Sequence, residues 1–230
     1  MDKTNNTGNL ARRITWVLIG NVIIGIGCAL FRLAGLGTDP FSCMNLGVSS
    51  YLPISYGTYQ MLLNFVLLIP MAIWYRKGIN VGSFVNMIGV AYVSDLVVYL
   101  LKLAGWTSES VSGHMGARII IMIIALIFYC IGVAFYVECE LGVAPYDALG
   151  QMIEMWTGAR VKFSVARILL DVFSVAVGFF TGSVIGVATL VTACMTGPLV
   201  TWIREHVARR AISGKSETPA AAVQMTKGSI

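Results

Sequence analysis

The sequence predicts an all-α integral membrane protein made of two tandem repeats, each with three transmembrane helices and one short helix. Composition is the first observation, because 57% of the 230 residues are hydrophobic and only 12% are charged, whereas soluble domains carry about 25% charged residues. The second is that residues 14–31, 119–137 and 172–203 contain no charge. Each stretch is near or above the roughly 20 apolar residues that cross a bilayer.

An internal repeat is the third observation. Residues with the same or similar side chains recur at an offset of 105 positions, pairing Arg13 with Arg118, Gly27 with Gly132, Gly37 with Gly142, Pro40 with Pro145, and Phe41 with Tyr146. Such self-similarity indicates duplication of a unit of about 90 residues. We therefore expect a cytoplasmic N-terminal segment (1–12), membrane repeats at 13–104 and 118–204, a loop between them (105–117) and a disordered cytoplasmic tail (205–230).

Each repeat is predicted to hold the same four elements in the same order. In the first repeat we expect spans at 14–34, 57–75 and 81–101, with a short segment at 40–52. In the second repeat we expect spans at 118–137, 163–181 and 184–203, with a short segment at 145–156. The long uncharged stretch at 172–203 must contain a tight turn, for which the Thr-Gly-Ser sequence at 181–183 is suitable.

The short segments leave two topologies open. If they re-enter without crossing, each repeat crosses three times and the second is inverted; if they cross, each repeat crosses four times and the two are parallel. Lys and Arg favour the cytoplasmic side, but their counts at the span ends are almost equal for the two arrangements. A helix of about 13 residues rises about 20 Å, short of a roughly 30 Å hydrocarbon core. We therefore favour inverted repeats, and both arrangements place the two termini in the cytoplasm.

Both short segments begin with residues that start helices. Pro40 and Pro145 suit the first helical position, where a missing N–H costs nothing, and Asp39 precedes Pro40 as an N-cap. In the second repeat Ala144 replaces the cap and Asp147 lies in the first turn, where the helix dipole stabilises it. A single capping acid is ordinary, but short helices at matching positions of two halves are typical of transporter binding sites. We predict that Asp39 and Asp147 line a solute pathway.

Polar residues inside the predicted spans are the other candidates for this pathway. Asn64 and Asp171 occupy equivalent depths in their spans, and ionisable groups there usually face a cavity or a partner. Arg167 lies four residues before Asp171 on the same helix face, so the two can pair, either as a structural ion pair or as part of the site. Asp95 lies near the end of its span, where a pathway role and snorkelling to the interface fit equally well.

Several function classes are excluded by what the sequence lacks. The chain has two His residues, five Cys without C-x-x-C spacing, and no phosphate-binding G-x-x-x-x-G-K-[ST] motif, so we expect no metal, no cofactor and no enzymatic activity. Its basic residues cluster at span ends, which signals topology and argues against a nucleic-acid partner. We predict helix-break and packing roles for Gly37, Pro40, Gly142, Pro145, Gly197 and Pro198.

The stretches "LGTDPF" from Leu36, "GSFVN" from Gly82 and "LGVAPYDALG" from Leu141 resemble the bacterial YczE/YyaS/YitT family of small polytopic membrane proteins. The likeness covers about residues 12–205. The resemblance implies the bacterial cytoplasmic membrane and a duplicated core, but no settled activity. The sequence departs from the family pattern at positions 91–92, where a Gly-Pro pair is usual and the second repeat keeps that pair at 197–198.

Two function classes follow from these features. The first is a secondary transporter or permease for a small polar or organic solute, with its site between the two short helices. The alternative is a non-transporting membrane partner, either a scaffold of a biosynthetic or signalling complex or the substrate-capturing subunit of an uptake system. Both place the chain in a lipid bilayer, and both leave open a homo-oligomer or another membrane protein as partner.

Overall fold

The computed structural model of the protein describes residues 3–213, all of whose regular elements are helical. In chain order the helices are α1 (Lys3–Ala34), α2 (Pro40–Ser49), α3 (Tyr56–Trp74), α4 (Val81–Leu103), α5 (Ser108–Ser112), α6 (Met115–Glu138), α7 (Pro145–Trp156), α8 (Phe163–Phe180), α9 (Val187–Ile203) and α10 (Arg209–Ser213). Six of them, α1, α3, α4, α6, α8 and α9, are long and apolar enough by length and composition to cross a membrane. The predicted all-α membrane class is confirmed, and each predicted span overlaps one of these six helices.

The ends of the chain differ from the expected segments. A π-helical turn at Arg204–Ala208 joins α9 to α10, so residues 205–213 of the predicted disordered tail are helical. The remainder of that tail lies outside the described residues. At the other end α1 begins at Lys3, and α5 forms within the predicted loop at 105–117. The residues before the first span and after the last span continue the helix of that span, because its backbone hydrogen bonds already provide the nucleus.

α1 and α6 form an antiparallel pair at the centre of the bundle. The Arg13 side chain, near the start of α1, donates through Nε to the Cys139 carbonyl just after α6 at 2.7 Å. Arg118, near the start of α6, donates to the carbonyls of Ala34 (2.7 Å) and Gly35 (2.6 Å) at the end of α1. Each arginine therefore satisfies carbonyls that the other helix leaves without an intrahelical partner.

Small residues let these two helices approach closely. A Cβ atom added at Gly132 would lie 2.7 Å from the backbone N of Ile24, and one at Gly20 would lie 3.0 Å from the Gly132 carbonyl oxygen. Gly132 has no room for a Cβ atom, and at Gly20 a Cβ fits only if its backbone neighbours move apart. On the outer helices α8 and α9, large apolar side chains such as Phe173 and Leu190 are exposed, as lipid-facing residues are.

The loop before each short helix contacts the opposite half of the chain. The backbone N of Gly82, at the start of α4, donates to the Leu141 carbonyl at 2.7 Å, and Ala188, at the start of α9, donates to the Leu36 carbonyl at 3.0 Å. Gly37 and Gly142 follow these two leucines with φ of +100° and +111°. Glycine suits both positions because that backbone region is strained for other residues.

The pair Gly197 and Pro198 does not break its helix. α9 runs continuously through both residues, and a Cβ at Gly197 would meet nothing within 4 Å, so close packing does not require this glycine. Local adjustments in an apolar helix can accommodate the backbone group that proline frees. The irregular backbone comes later, in the π-helical turn at Arg204–Ala208.

Candidate functional site

The first turns of the two short helices meet in the interior of the bundle. The rings of Phe41 in α2 and Tyr146 in α7 stack with centroids 4.3 Å apart and an angle of 24° between their planes. Each ring directly follows the proline that starts its helix. The start of one short helix therefore contacts the start of the other.

A cavity of about 80 Å³ lies at this meeting point, and we call it the central cavity. Seven helices contribute to its walls: α1, α2, α3, α4, α6, α7 and α8. Its polar lining comes from both halves of the chain: Asp39, Ser42, Gln60, Asn64, Asn86, Asp147 and Arg167. Asp39, Asn64, Asp147 and Arg167, four of the six predicted pathway residues, thus lie around one space.

Arg167 holds two carboxylates together. Its guanidinium bonds to Asp147 Oδ1 on α7, and its Nε lies 3.5 Å from Asp171 Oδ1 one turn further along α8. The guanidinium also lies 4.9 Å from the centroid of the Tyr146 ring. Tyr146 donates its hydroxyl to Asp171 Oδ1 at 2.9 Å, so Asp171 is held beside the cavity through both Arg167 and Tyr146.

Asp39 has a different environment because no cation pairs with it in the described chain. It caps α2 as predicted, with Oδ1 accepting from the backbone N of Ser42 at 3.1 Å. The other oxygen, Oδ2, has no protein hydrogen-bond partner, although Asp39 is only 7% exposed. Gln60 Oε1 is also without a protein donor, in a residue 5% exposed. Unmet acceptors of this kind are costly unless something donates to them.

The structure places Asp95 outside the central cavity. Its carboxylate pairs with Arg32 of α1 at 2.8 Å and accepts from the backbone N of Gly57 at the start of α3 at 2.7 Å. The Arg32 guanidinium in turn lies 4.8 Å from the centroid of the Tyr56 ring. Asp95 therefore joins the end of α1 to the start of α3, and the two helices that flank α2 meet on the same side of the bundle.

Several lining residues were not among the pathway residues predicted from sequence, among them Tyr146, Gln60 and Asn86. Tyr146 had a signal in the repeat, which pairs it with Phe41. Gln60 had one because it lies four residues before Asn64, as Arg167 lies four residues before Asp171. Asn86 had no comparable signal; its side chain donates to Asn21 Oδ1 of α1 at 2.8 Å and also lines the cavity.

A second cavity of about 330 Å³, the side cavity, is lined by the end of α1 and the loop after it, by α2, and by the connection between α8 and α9. Arg32, Thr38, Gly47 and Ser183 are among its lining residues, so Thr38 and Asp39 stand between the two spaces. The opposite side of the bundle is packed: Met71 of α3 and Met152 of α7 are fully buried there.

Comparison with known proteins finds one family model and several relatives, one of which is described as a membrane protein. Residues 11–205 match the family of unknown function DUF6198. The protein is 30% identical over 186 residues to uncharacterized protein YyaS of Bacillus subtilis, which covers 79% of this chain and 87% of the relative. It is 23% identical over 219 residues to uncharacterized membrane protein YczE of the same organism, covering 91% and 97%. An uncharacterized protein of Haemophilus influenzae is 25% identical over 200 residues, covering 86% of each chain. No solved structure matches the chain.

Proposed function

The chain belongs to the family of unknown function DUF6198 and is similar to YyaS and YczE, and we propose that this membrane protein is a secondary transporter or permease for a small polar or organic solute. The observation that carries the proposal is the central cavity, where the starts of two short helices bring acidic, basic and amide side chains together. Buried polar groups of this kind inside a membrane are costly and mark solute or ion pathways. Short or broken helices at matching positions in two halves are a further feature of such sites.

The proposed architecture is a pair of inverted repeats with re-entrant short helices. The reciprocal contacts of Arg13 and Arg118, each at the end of the opposite helix, support it because they relate antiparallel halves. The meeting of α1 and α3 at Asp95 supports re-entry of α2. Re-entry of α7 is supported by the rings of Trp74 and Trp156, whose centroids lie 5.1 Å apart. Because these residues end α3 and α7, the two helices end on the same side of the bundle.

This architecture also orients the chain in a bacterial cytoplasmic membrane. Both termini then lie on one side together with Arg76 and Lys77, between α3 and α4, and Arg160 and Lys162, between α7 and α8. The opposite side carries fewer basic residues. Because Lys and Arg accumulate on the cytoplasmic side, we propose cytoplasmic termini and external ends for α1 and α4.

The side cavity is the proposed external entrance to the site. It reaches Thr38, next to Asp39, from the side where α1 ends. On the other side the backbone N of Val143 donates to the Gly78 carbonyl at 2.9 Å, and Met71 and Met152 fill the space between α3 and α7. Transport then requires these cytoplasmic contacts to separate while the external entrance closes, as in alternating access.

The experiment that tests transport is a flux measurement on the purified chain. A thermal-shift screen against a metabolite panel identifies ligands, since a molecule that binds only the folded form raises the melting temperature. Each hit is then tested for uptake in proteoliposomes with Asp147→Asn, Asp171→Asn and, as a matched acid-to-amide control, Glu138→Gln. Glu138 pairs with Arg204 and Arg209 at the end of α6, away from the cavity.

Transport predicts that the two cavity variants lose uptake while the control retains it. Unchanged flux in both cavity variants contradicts the proposal. A protein that moves none of its ligands and purifies in mild detergent with a stoichiometric partner supports the alternative, a non-transporting membrane partner.

A further inference from the structure

We infer that the central cavity selects a compact monovalent organic cation that donates hydrogen bonds, such as a primary ammonium or a guanidinium group. The inference rests on the proposed function in that it names the solute class for the same cavity. It follows from three properties of the cavity: the balance of its charges, two buried acceptors that no protein group donates to, and its size and walls.

The charges around the cavity are out of balance. Three carboxylates, those of Asp39, Asp147 and Asp171, surround it or its immediate wall, against the single guanidinium of Arg167. Arg167 pairs with Asp147 and Asp171. Within residues 3–213, Asp39 has no ion-pair partner. The nearby Arg32 is occupied by Asp95. The acids therefore outnumber the one guanidinium around the cavity. A bound cation offsets this excess of negative charge, whereas a bound anion increases it.

Two buried acceptors beside the cavity have no donor within the described chain. Asp39 Oδ2 and Gln60 Oε1 are both acceptors, both buried, and both belong to residues that line the cavity. A ligand satisfies them only by donating, and ammonium and guanidinium groups carry donors without acceptors. Carboxylate or phosphate solutes offer the opposite set of groups.

Size and wall chemistry narrow the class further. At about 30 Å³ of liquid volume for each water, a cavity of about 80 Å³ holds a molecule the size of two or three waters. Phe41, Tyr129, Tyr136 and Tyr146 line the same space, and aromatic rings attract organic cations. A divalent metal ion usually requires several oxygen ligands, yet residues 3–213 contain no group of three His, Cys, Asp or Glu side chains suited to a metal.

The test compares two ligands of the same shape that differ in charge. Guanidinium and urea, each at low millimolar concentration, are titrated into the purified full chain in detergent by calorimetry, with methylammonium and acetate as further probes. We expect guanidinium and methylammonium to bind, and urea and acetate to bind at least about tenfold more weakly, because a hydrogen bond to a charged group accounts for that factor or more.

Two variants assign the effect to the cavity. Asp39→Asn should weaken guanidinium binding by about 10- to 150-fold while preserving the fold, because Asn is as good an N-cap as Asp. Should that variant fail to fold, Gln60→Met carries the test, with an expected loss of about 2- to 12-fold for one neutral hydrogen bond. Glu138→Gln, the acid-to-amide control outside the cavity, should bind guanidinium as the unmodified chain does.

Each outcome bears separately on the ligand class and on transport. Equal binding of urea and guanidinium, or unchanged guanidinium binding in Asp39→Asn, overturns the cation inference. Uptake of a neutral or anionic solute that depends on Asp147, without guanidinium binding, also overturns it but leaves transport standing. Guanidinium binding that depends on Asp39, without flux of guanidinium or methylammonium in proteoliposomes, upholds the ligand class and contradicts transport.

Discussion

Removing the Arg167 guanidinium should destabilise the protein more than removing either acid that it holds. Arg167→Gln leaves Asp147 and Asp171 facing each other beside the cavity without a cation. Asp147→Asn, in contrast, leaves Arg167 paired with Asp171. The ranking follows from the geometry, because one base serves two acids.

The magnitude follows from burial. Breaking a fully buried ion pair by removing one partner costs about 3–5 kcal/mol. The Arg167 side chain is 33% exposed, so solvent screening reduces the expected loss to about 2–3 kcal/mol. At about 2–4 °C for each kcal/mol in a chain of this size, Arg167→Gln should lower the melting temperature by about 4–12 °C.

The assay is thermal unfolding of the purified protein in detergent, followed by tryptophan fluorescence. Arg160→Gln is the control, because Arg160 is exposed in the connection between α7 and α8 and surface substitutions usually cost no more than about 0.5 kcal/mol. The double variant Arg167→Gln with Asp147→Asn should lose less than the sum of the two single variants, by about 0.5–3 kcal/mol, since contacting residues are coupled.

Two results would refute this reasoning. One is a melting temperature for Arg167→Gln that matches the Arg160→Gln control, which would mean that water already balances both acids. The other is strict additivity in the double variant, which would mean that the contact between Arg167 and Asp147 contributes no coupling energy.

Three further predictions concern packing and topology. Gly142→Ala should lower the melting temperature more than Gly105→Ala: both glycines have positive φ, but only at Gly142 would a Cβ overlap neighbouring atoms, so equal shifts would argue against close approach. Arg118→Gln removes two charge-assisted hydrogen bonds to the end of α1 and should cost about 1.5–3 kcal/mol in the same assay; a loss below about 0.5 kcal/mol would contradict it. With a membrane-impermeant maleimide, Arg76→Cys should react only from the cytoplasmic side and Lys102→Cys only from outside; the reverse pattern would favour crossing short helices.

Local features of the fold were readable from sequence because they depend on neighbours along the chain. The apolar spans follow from hydropathy, and α2 and α7 begin at the predicted prolines, with Asp39 as the N-cap of α2. The pairing of Arg167 with Asp171 follows from their spacing of four. The capping contact of Asp39 and the pair of Arg167 with Asp171 both join groups within one helical turn. Tertiary packing is therefore not needed to bring them together.

Contacts between distant helices were not readable in the same way. Asp147 pairs with Arg167, twenty residues away on another helix, and Asp95 is used by Arg32 and Gly57 instead of lining the cavity. The spacing of polar residues along one span fixes which share a face. It does not fix whether that face meets lipid, a neighbouring helix or a cavity.

The residue pattern is thus sufficient to predict a helical membrane protein with two short proline-initiated helices that carry acids at their starts. Three features depend on tertiary packing: the two starts meet, Arg167 pairs with both Asp147 and Asp171, and Asp39 and Gln60 keep acceptors without donors. The physical reason is that helix formation uses hydrogen bonds four residues apart, whereas a binding cavity depends on how separate helices rotate and pack against one another.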